Sequence, residues 1–227
     1  MYLFYCNIGL STVTKVAVAC PALPTSRNAT LLVCNTYKDV LNVLQTAKEE
    51  LGEIISALEI MDYNTLQLVE KHGVDGNDSC SRLLRDMLQL DHHTSTHQQS
   101  ELSSWPLFLL VETQGSNAEH DASKMESFLS RLYDSDTIHN GFLAQDSKQL
   151  MEMWNIRELC NPSTARAGCV YKFDVSIPID EYMDVAREVE RELNQSDLVV
   201  CTWGHVADGN AHINIVTPGV YEKDPQY

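Results

Sequence analysis

The sequence lacks the features that mark membrane-spanning, nucleic-acid-binding and nucleotide-binding proteins. It has no run of 18 apolar residues, so no membrane span is expected. Basic residues are scarce: 16 Lys and Arg stand against 32 Asp and Glu, which gives a formal net charge of -16. A chain this acidic is not expected to bind nucleic acid through bulk electrostatics. Neither GxGxxG nor GxxxxGK[ST] occurs, so nothing marks a Rossmann or P-loop site.

The seven cysteines show neither metal-type nor disulfide-type spacing. Their number is odd, no two are spaced as CxxC, and several lie in apolar runs such as LLVCN and LVVCTW. We interpret them as free, mostly buried thiols. The first residues, MYLFYC, carry no basic group, so we expect neither a signal peptide nor an arginine-rich transit peptide there.

Hydrophobic periodicity predicts alternating strands and helices. Residues 73–104 are rich in Ser, Thr, Gln and His and are predicted to be a polar insertion with one short helix near Leu83–Leu90. The order indicates an α+β fold, a ferredoxin-like antiparallel sheet with helices on one face. Strands are predicted over 13–20, 29–34, 54–62, 105–113, 169–177, 198–205 and 211–217, and helices over 37–51 (with Gly52 as a C-cap), 64–72, 118–132, 147–160 and 180–193 (with Asp180 as N-cap).

The segment GHVADGNAHIN at 204–214 is the most informative motif. Asp-Gly-Asn is a turn signal between two strand-like runs, and a hairpin would bring His205 and His212 close together. His212 and Asn214 are two residues apart on a strand, so they share one face. Two imidazoles suit zinc or a similar divalent ion, although no third ligand is evident nearby. The alternative is that both histidines only satisfy hydrogen bonds of the turn.

A second candidate is a pair of cations, Arg157 on a predicted helix and Lys172 on a predicted strand. An arginine fork and a lysine point charge could together hold a dianionic substrate. The alternative is that both side chains form ion pairs with surface carboxylates.

These segments together resemble a known family. Arg157-Glu158, then YKFDVSIP at 171–178, then GHVADGNAHINI resemble the C-terminal domain of the FAD-linked oxidases of the vanillyl-alcohol-oxidase type, and within them the D-2-hydroxyglutarate dehydrogenases. SALEIMD at 56–62 and LLVETQGS at 109–116 resemble the same enzymes, in order. The resemblance covers about residues 10–217, apart from the polar insertion.

The resemblance implies roles for particular residues. His205 and His212 match two zinc-binding histidines, Arg157 and Lys172 match residues that hold the substrate carboxylates, and Asn214 matches a substrate-contacting asparagine. Asn161 stands where the family has a threonine. The implied reaction is the oxidation of a D-2-hydroxy acid, D-2-hydroxyglutarate, to a 2-oxo acid with FAD as hydride acceptor, in mitochondria.

The resemblance also implies a domain division. Residues 1–20 would be a remnant of the FAD-binding domain, and residues 21–227 the substrate and metal domain. We expect that most of the FAD site, and a Glu-His segment carrying the third metal ligand and the catalytic base, lie outside this chain. The alternatives are a D-lactate or glycolate dehydrogenase relative, and a truncated fragment without catalytic activity.

Overall fold

A computed structural model describes residues 15, 17–18, 20, 22–74, 79–90, 106–138, 140–193 and 197–219. Its strands form one seven-stranded antiparallel sheet with the order β4-β1-β3-β2-β6-β7-β5. The α+β fold with an antiparallel sheet, predicted from the sequence, is thereby confirmed. The strands are β1 (Ser26–Cys34), β2 (Ile55–Asp62), β3 (Leu107–Gly115), β4 (Asn140–Leu143), β5 (Cys169–Ser176), β6 (Val199–His205) and β7 (Asn210–Thr217).

Six α-helices connect the strands, and several begin with a capping side chain. Thr36 and Asp39 form a capping box at the start of α1, and Asp62, Asn117 and Asp146 cap α2, α4 and α5. Each cap satisfies a backbone N–H that the first helical turn leaves without a partner. In the described residues no helix has the length and apolar character that a membrane crossing requires. The helices are α1 (Tyr37–Glu50), α2 (Tyr63–His72), α3 (Ser79–Leu90), α4 (Ala118–Asp134), α5 (Ser147–Ala167) and α6 (Tyr182–Leu193), and a 3-10 turn (Ile179–Glu181) precedes α6.

Helices cover both faces of the sheet, whereas the sequence led us to expect them on one. Along β1, Leu32 and Cys34 join the hydrophobic core formed with α1, α4 and α6, while Leu31 and Val33 join the core formed with α2, α3 and α5. Successive side chains of a strand point to opposite faces, so the continuous apolar runs of β1 and β3 need cover on both sides. We call the side covered by α2, α3 and α5 the α5 face.

The sheet is unevenly covered, and this places the candidate site. The central strands β1 and β3 are buried along nearly their whole length. The edge strand β5 is mostly exposed, with Tyr171 and Phe173 at 55% and 49% exposure. The most exposed of these strands therefore lies at one edge of the sheet, beside the β6–β7 pair.

Three sequence predictions need correction. Asp180 does not cap a helix, because the 3-10 turn begins after Pro178 and has no side-chain cap. Gly52 is not the C-cap of α1, since Leu51 occupies that position. Helix α5 extends to Ala167 and includes Pro162, seven residues beyond the predicted end.

Other predictions fall partly outside the described residues. The helix expected near Leu83–Leu90 is α3, but the rest of the polar insertion is largely undescribed, as is most of the strand expected over 13–20, whose described residues belong to no strand. The short strand β4 was not predicted. The six cysteines in the described part form no disulfide with one another, and four of them, Cys34, Cys80, Cys160 and Cys201, are buried.

Candidate functional site

Strands β6 and β7 form the hairpin that the Asp-Gly-Asn signal predicted. His205 and Asn210 are directly paired at its end. The Asp208 side chain accepts a hydrogen bond from the Asn210 N–H at 3.0 Å, which tightens the turn. Gly209 has a φ of 78°, and its carbonyl accepts from the Ile177 N–H at 2.9 Å. Glycine is required here because this φ is unfavourable for other residues, and a Cβ would lie 2.2 Å from the Ile177 carbonyl oxygen.

The hairpin brings the two predicted histidines together on the α5 face. Their ring centroids lie 6.1 Å apart in an edge-to-face arrangement. The His212 ring also lies 5.8 Å from Trp203, its partner across the hairpin. The two imidazoles are thus close enough to share one small ligand.

The Nδ1 atom of His205 contacts a buried glutamate on β2, Glu59. Glu59 and His205 are directly opposite in the register of β2 and β6, so their side chains lie on the same face. The distance between His205 Nδ1 and Glu59 Oε1 is 2.5 Å. A carboxylate only accepts hydrogen bonds, so Nδ1 carries the proton and donates, which leaves Nε2 as the free nitrogen.

The same glutamate binds Arg157. Arg157 Nε donates to Glu59 Oε2 at 2.8 Å, and Glu59 is only 2% exposed. The alternative that Arg157 pairs with a surface carboxylate is therefore wrong, since its partner lies inside the protein. Only Nε is used in this contact, so the two terminal nitrogens of the guanidinium remain for other partners.

Lys172 on β5 lies on the same face of the sheet as His205, and β7 separates its strand from β6. Its Nζ donates to Asn161 Oδ1 at 2.8 Å. Asn161 follows Arg157 by one helical turn on α5, so the two side chains lie on one side of the helix. Asn161 thus links Lys172 to the helix that carries Arg157.

Asn214 occupies the buried floor of this region. It is 2% exposed, and its Nδ2 donates to Thr164 Oγ1 at 3.1 Å. In the β5–β7 register Asn214 is paired with Lys172, and His212 with Asp174. His212 Nδ1 is 3.6 Å from Asp174 Oδ1, which is beyond hydrogen-bond distance, while Asp174 accepts from Asn210 Nδ2 at 2.7 Å.

The pKa of His212 is lowered below its ordinary value. Burial is the largest cause, and Arg157 and His205 lower it further, while Asp174 opposes them. The neutral imidazole is therefore favoured, which is the form of histidine that binds metal ions.

The residues present fit part of a metal site. His205, with Nδ1 bound to a carboxylate and Nε2 free, has the arrangement typical of a metal-ligating histidine, and the neutral His212 lies beside it. Across the described ranges, however, no group of three or more His, Cys, Asp or Glu residues could hold a metal ion. The described part of the chain thus offers two nitrogen ligands and no complete ligand set.

Known protein families and structures include matches to this domain. The family model described as "FAD linked oxidases, C-terminal domain" matches residues 23–226. The chain belongs to this family. Its antiparallel α+β sheet also resembles the solved structure of an alkyldihydroxyacetonephosphate synthase, with a TM-score of 0.60 over 86% of this chain and 36% of that one, at 11% sequence identity.

Two relatives of this FAD-linked oxidase domain have informative names. The chain is 30% identical to the mitochondrial D-2-hydroxyglutarate dehydrogenase of Danio rerio, over 92% of this chain and 35% of that protein. It is 34% identical to a putative mitochondrial D-lactate dehydrogenase of Schizosaccharomyces pombe, over 91% of this chain and 37% of that protein. The chain thus spans about a third of the length of the curated relatives it matches.

Sequence reasoning missed Glu59. The structure places this residue at the junction of Arg157 and His205, and the sequence contained one signal for it. In SALEIMD, Glu59 interrupts the apolar run of a strand whose neighbouring positions are buried. A carboxylate at such a position is rarely buried unless it is paired.

Proposed function

We propose that this chain is the substrate- and metal-binding part of a flavin-dependent dehydrogenase that oxidises D-2-hydroxyglutarate to 2-oxoglutarate. The observation that supports the proposal most strongly is the convergence of two cations and two histidines on one sheet face. Arg157, Lys172, His205 and His212 come from α5, β5, β6 and β7, yet all lie on the α5 face. The proposed location is mitochondrial, as in the names of the relatives.

Two separate cations suit a substrate with two carboxylates. Arg157 keeps its two terminal nitrogens for a bidentate contact with one carboxylate, and Lys172 offers a single point charge to the other. Asn161 orients Lys172 through its hydrogen bond. A monocarboxylate such as D-lactate would use only one of these cations, so the pair favours the dicarboxylate.

The two histidines suit a divalent metal ion such as zinc. His205 Nε2 and a nitrogen of neutral His212 would hold it, with further ligands from outside the described residues. When bound to the complete protein, FAD would supply the hydride acceptor for the substrate carbon, and a divalent ion would supply polarisation of the substrate hydroxyl. The residues of this chain then orient the substrate between the two cations and keep its hydroxyl beside the histidines.

The full-length protein is the material for the test. Turnover of D-2-hydroxyglutarate is expected to exceed that of D-lactate, and His205→Ala and His212→Ala are each expected to lower kcat at least about 100-fold. His120→Ala serves as the matched control, because the His120 ring pairs with the neighbouring Asp121 on α4, a helix that packs on the opposite face of the sheet from the candidate site. Unchanged kcat in both site variants would overturn the proposal.

The proposed role of Arg157 in substrate binding has its own test. Arg157→Lys keeps a positive charge but cannot reach Glu59 and also present a planar fork to the substrate. We expect KM for D-2-hydroxyglutarate to rise about tenfold or more, which corresponds to about 1.4 kcal/mol. An unchanged KM would show that Arg157 does not hold the substrate.

A second candidate function is the oxidation of D-lactate. It is favoured by one observation, the 34% identity to a protein named as a putative D-lactate dehydrogenase. The two candidates differ in their need for the second cation. Lys172→Met should raise KM for D-2-hydroxyglutarate and leave D-lactate oxidation little changed, whereas a D-lactate enzyme would prefer D-lactate before any substitution.

A further inference from the structure

Glu59 contacts both a histidine and a cation of the candidate site. Its two carboxylate oxygens are divided between them: Oε1 meets His205 Nδ1 at 2.5 Å and Oε2 meets Arg157 Nε at 2.8 Å. The sheet register fixes the first contact, because Glu59 and His205 are cross-strand partners. Helix α5, packed over the same face, supplies the second.

Glu59 binds His205 at Nδ1 and Arg157 at Nε. Neither of these nitrogens is needed for binding a metal ion or a substrate carboxylate. A histidine that donates Nδ1–H to a carboxylate presents Nε2, and its ring cannot rotate without losing that bond. An arginine held at Nε presents its two terminal nitrogens in a fixed plane. One buried carboxylate therefore sets the direction of a nitrogen acceptor and of a guanidinium fork together.

We propose that Glu59 is a positioning residue that orients His205 toward the metal and Arg157 toward the substrate carboxylate. This inference rests on the proposed function of the site. Glu59 itself is buried beneath its two partners, so it acts through them and touches neither ligand. Its loss should weaken metal binding and substrate binding at once, although the two ligands are held by different residues.

The alternative is that Glu59 is only the structural counter-ion of Arg157. The chain contains a close match for such a carboxylate. Glu112 on β3 is also 2% exposed, accepts from Arg27 Nε at 2.9 Å, and is bound by Ser56 and Gln114. None of those partners belongs to the candidate site, so Glu112→Gln reports what loss of a buried carboxylate does to the fold alone.

The experiment compares Glu59→Gln with Glu112→Gln in the full-length protein. An amide keeps the volume but offers one acceptor oxygen, so it cannot receive both His205 and Arg157. We expect Glu59→Gln to lower Zn²⁺ affinity, measured by chelator competition, by about 10-fold to 100-fold. We expect it also to raise KM for D-2-hydroxyglutarate more than kcat falls. Glu112→Gln should leave both quantities within about threefold of the parent. Equal effects of the two variants would overturn the proposal.

A second variant covers the case in which Glu59→Gln does not fold. Glu59→Asp keeps the charge but is one methylene shorter, so it reaches one partner at a time. Zn²⁺ affinity or KM should then change at least about threefold, and parent values for both would overturn the proposal.

A crystal structure of the folded Glu59 variant separates this inference from the proposed function, because it needs neither metal nor substrate. A rotated His205 ring or a displaced Arg157 side chain supports positioning by Glu59, even if D-2-hydroxyglutarate proves not to be a substrate. Side chains that superimpose on those of the parent would overturn the inference, whatever the enzyme oxidises.

Discussion

Two regions of the sheet use polar groups in different ways. In the central strands β1 and β3, Glu112 is bound by Arg27, Ser56 and Gln114, and most of the strand residues are buried between the two hydrophobic cores. Toward β6, β7 and β5, polar side chains line the α5 face and remain partly open. The first region packs the hydrophobic cores, and the second carries the residues for which we propose a binding role.

The two buried glutamates show the difference at the scale of single residues. Glu59 and Glu112 are equally buried, and each is paired with an arginine. Among the described residues, the hydrogen-bond partners of Glu112 lie outside the candidate site, although the side chain of Arg27 is 42% exposed. Glu59 instead contacts His205 and Arg157, two residues of the candidate site. The two glutamates are therefore alike in burial and differ in the residues that they contact.

The free energy of unfolding should be more sensitive to side-chain truncation in the central strands β1 and β3. Phe108 on β3 is fully buried, so Phe108→Ala removes a large side chain and leaves a cavity. We expect a loss of about 3–5 kcal/mol in the free energy of unfolding, measured with urea. Phe173→Ala on the exposed edge strand is the control and should change it by less than about 0.5 kcal/mol. Similar losses for both variants would contradict the comparison.

The buried ion pair of Arg157 and Glu59 in the candidate site comes next in expected effect. Arg157→Met leaves the Glu59 carboxylate buried without its cation and should cost about 3 kcal/mol. Arg27→Met should cost less, because Arg27 is 42% exposed at its side chain and Glu112 retains two other donors. Adding Glu59→Met to Arg157→Met should recover part of the loss. A double variant as unstable as the sum of the single ones would exclude a coupled pair.

The turn between the two histidines is a third test. Gly209→Ala places a Cβ against the Ile177 carbonyl at a φ that alanine disfavours. We expect a loss of about 2 kcal/mol, together with weaker metal binding, since the turn sets the separation of His205 and His212. Ala207→Ser, at an exposed position of the same turn, should have little effect on either. Normal metal binding by the alanine variant would show that the turn does not set the histidine geometry.

The smallest expected effect is a pH dependence outside the site. The pKa of Asp62 is raised to about 7, chiefly by burial, although the Thr65 and Thr202 backbone N–H groups oppose this. In the unfolded chain it should be about 3.9, so the native state keeps a proton that the unfolded state has lost between about pH 4 and pH 7. Asp62 therefore lowers stability as the pH rises through this range.

Asp62→Asn should remove that contribution. Between pH 4.5 and pH 7, we expect the free energy of unfolding of the parent to fall by at least about 1 kcal/mol more than that of the variant. Glu190, whose pKa is also raised by burial, adds a dependence of the same sign in both proteins. Identical slopes for parent and variant would show that Asp62 is already ionised at low pH.

The sequence predicted those parts of the fold and site that depend on local patterns. Hydrophobic periodicity over 37–51 predicted α1, and Asp-Gly-Asn predicted the hairpin that joins His205 to His212. Four-residue β4 escaped prediction because NGFL is too short for a period of two to show. The cover on both faces was missed, although the unbroken apolar runs of β1 and β3 are typical of strands buried on both sides.

The links within the site could not be predicted from local patterns. Glu59 lies 98 residues from Arg157 and 146 from His205, so only the strand register and the packing of α5 on the sheet bring the three together. The hydrogen bond between Lys172 and Asn161 likewise depends on where α5 crosses β5. The residue types of the site could be predicted from the sequence. The contact between Glu59 and His205 could not, because it depends on the register of β2 against β6.

The metal content of the full-length protein tests the central claim most directly. If His205 and His212 share one divalent ion, the purified parent should hold about one metal ion per chain. His205→Ala and His212→Ala should each lose most of it, because either change removes one of the two proposed nitrogen ligands from a site that needs three or four protein ligands. Retention of the full metal content by either variant would contradict a shared site on the α5 face.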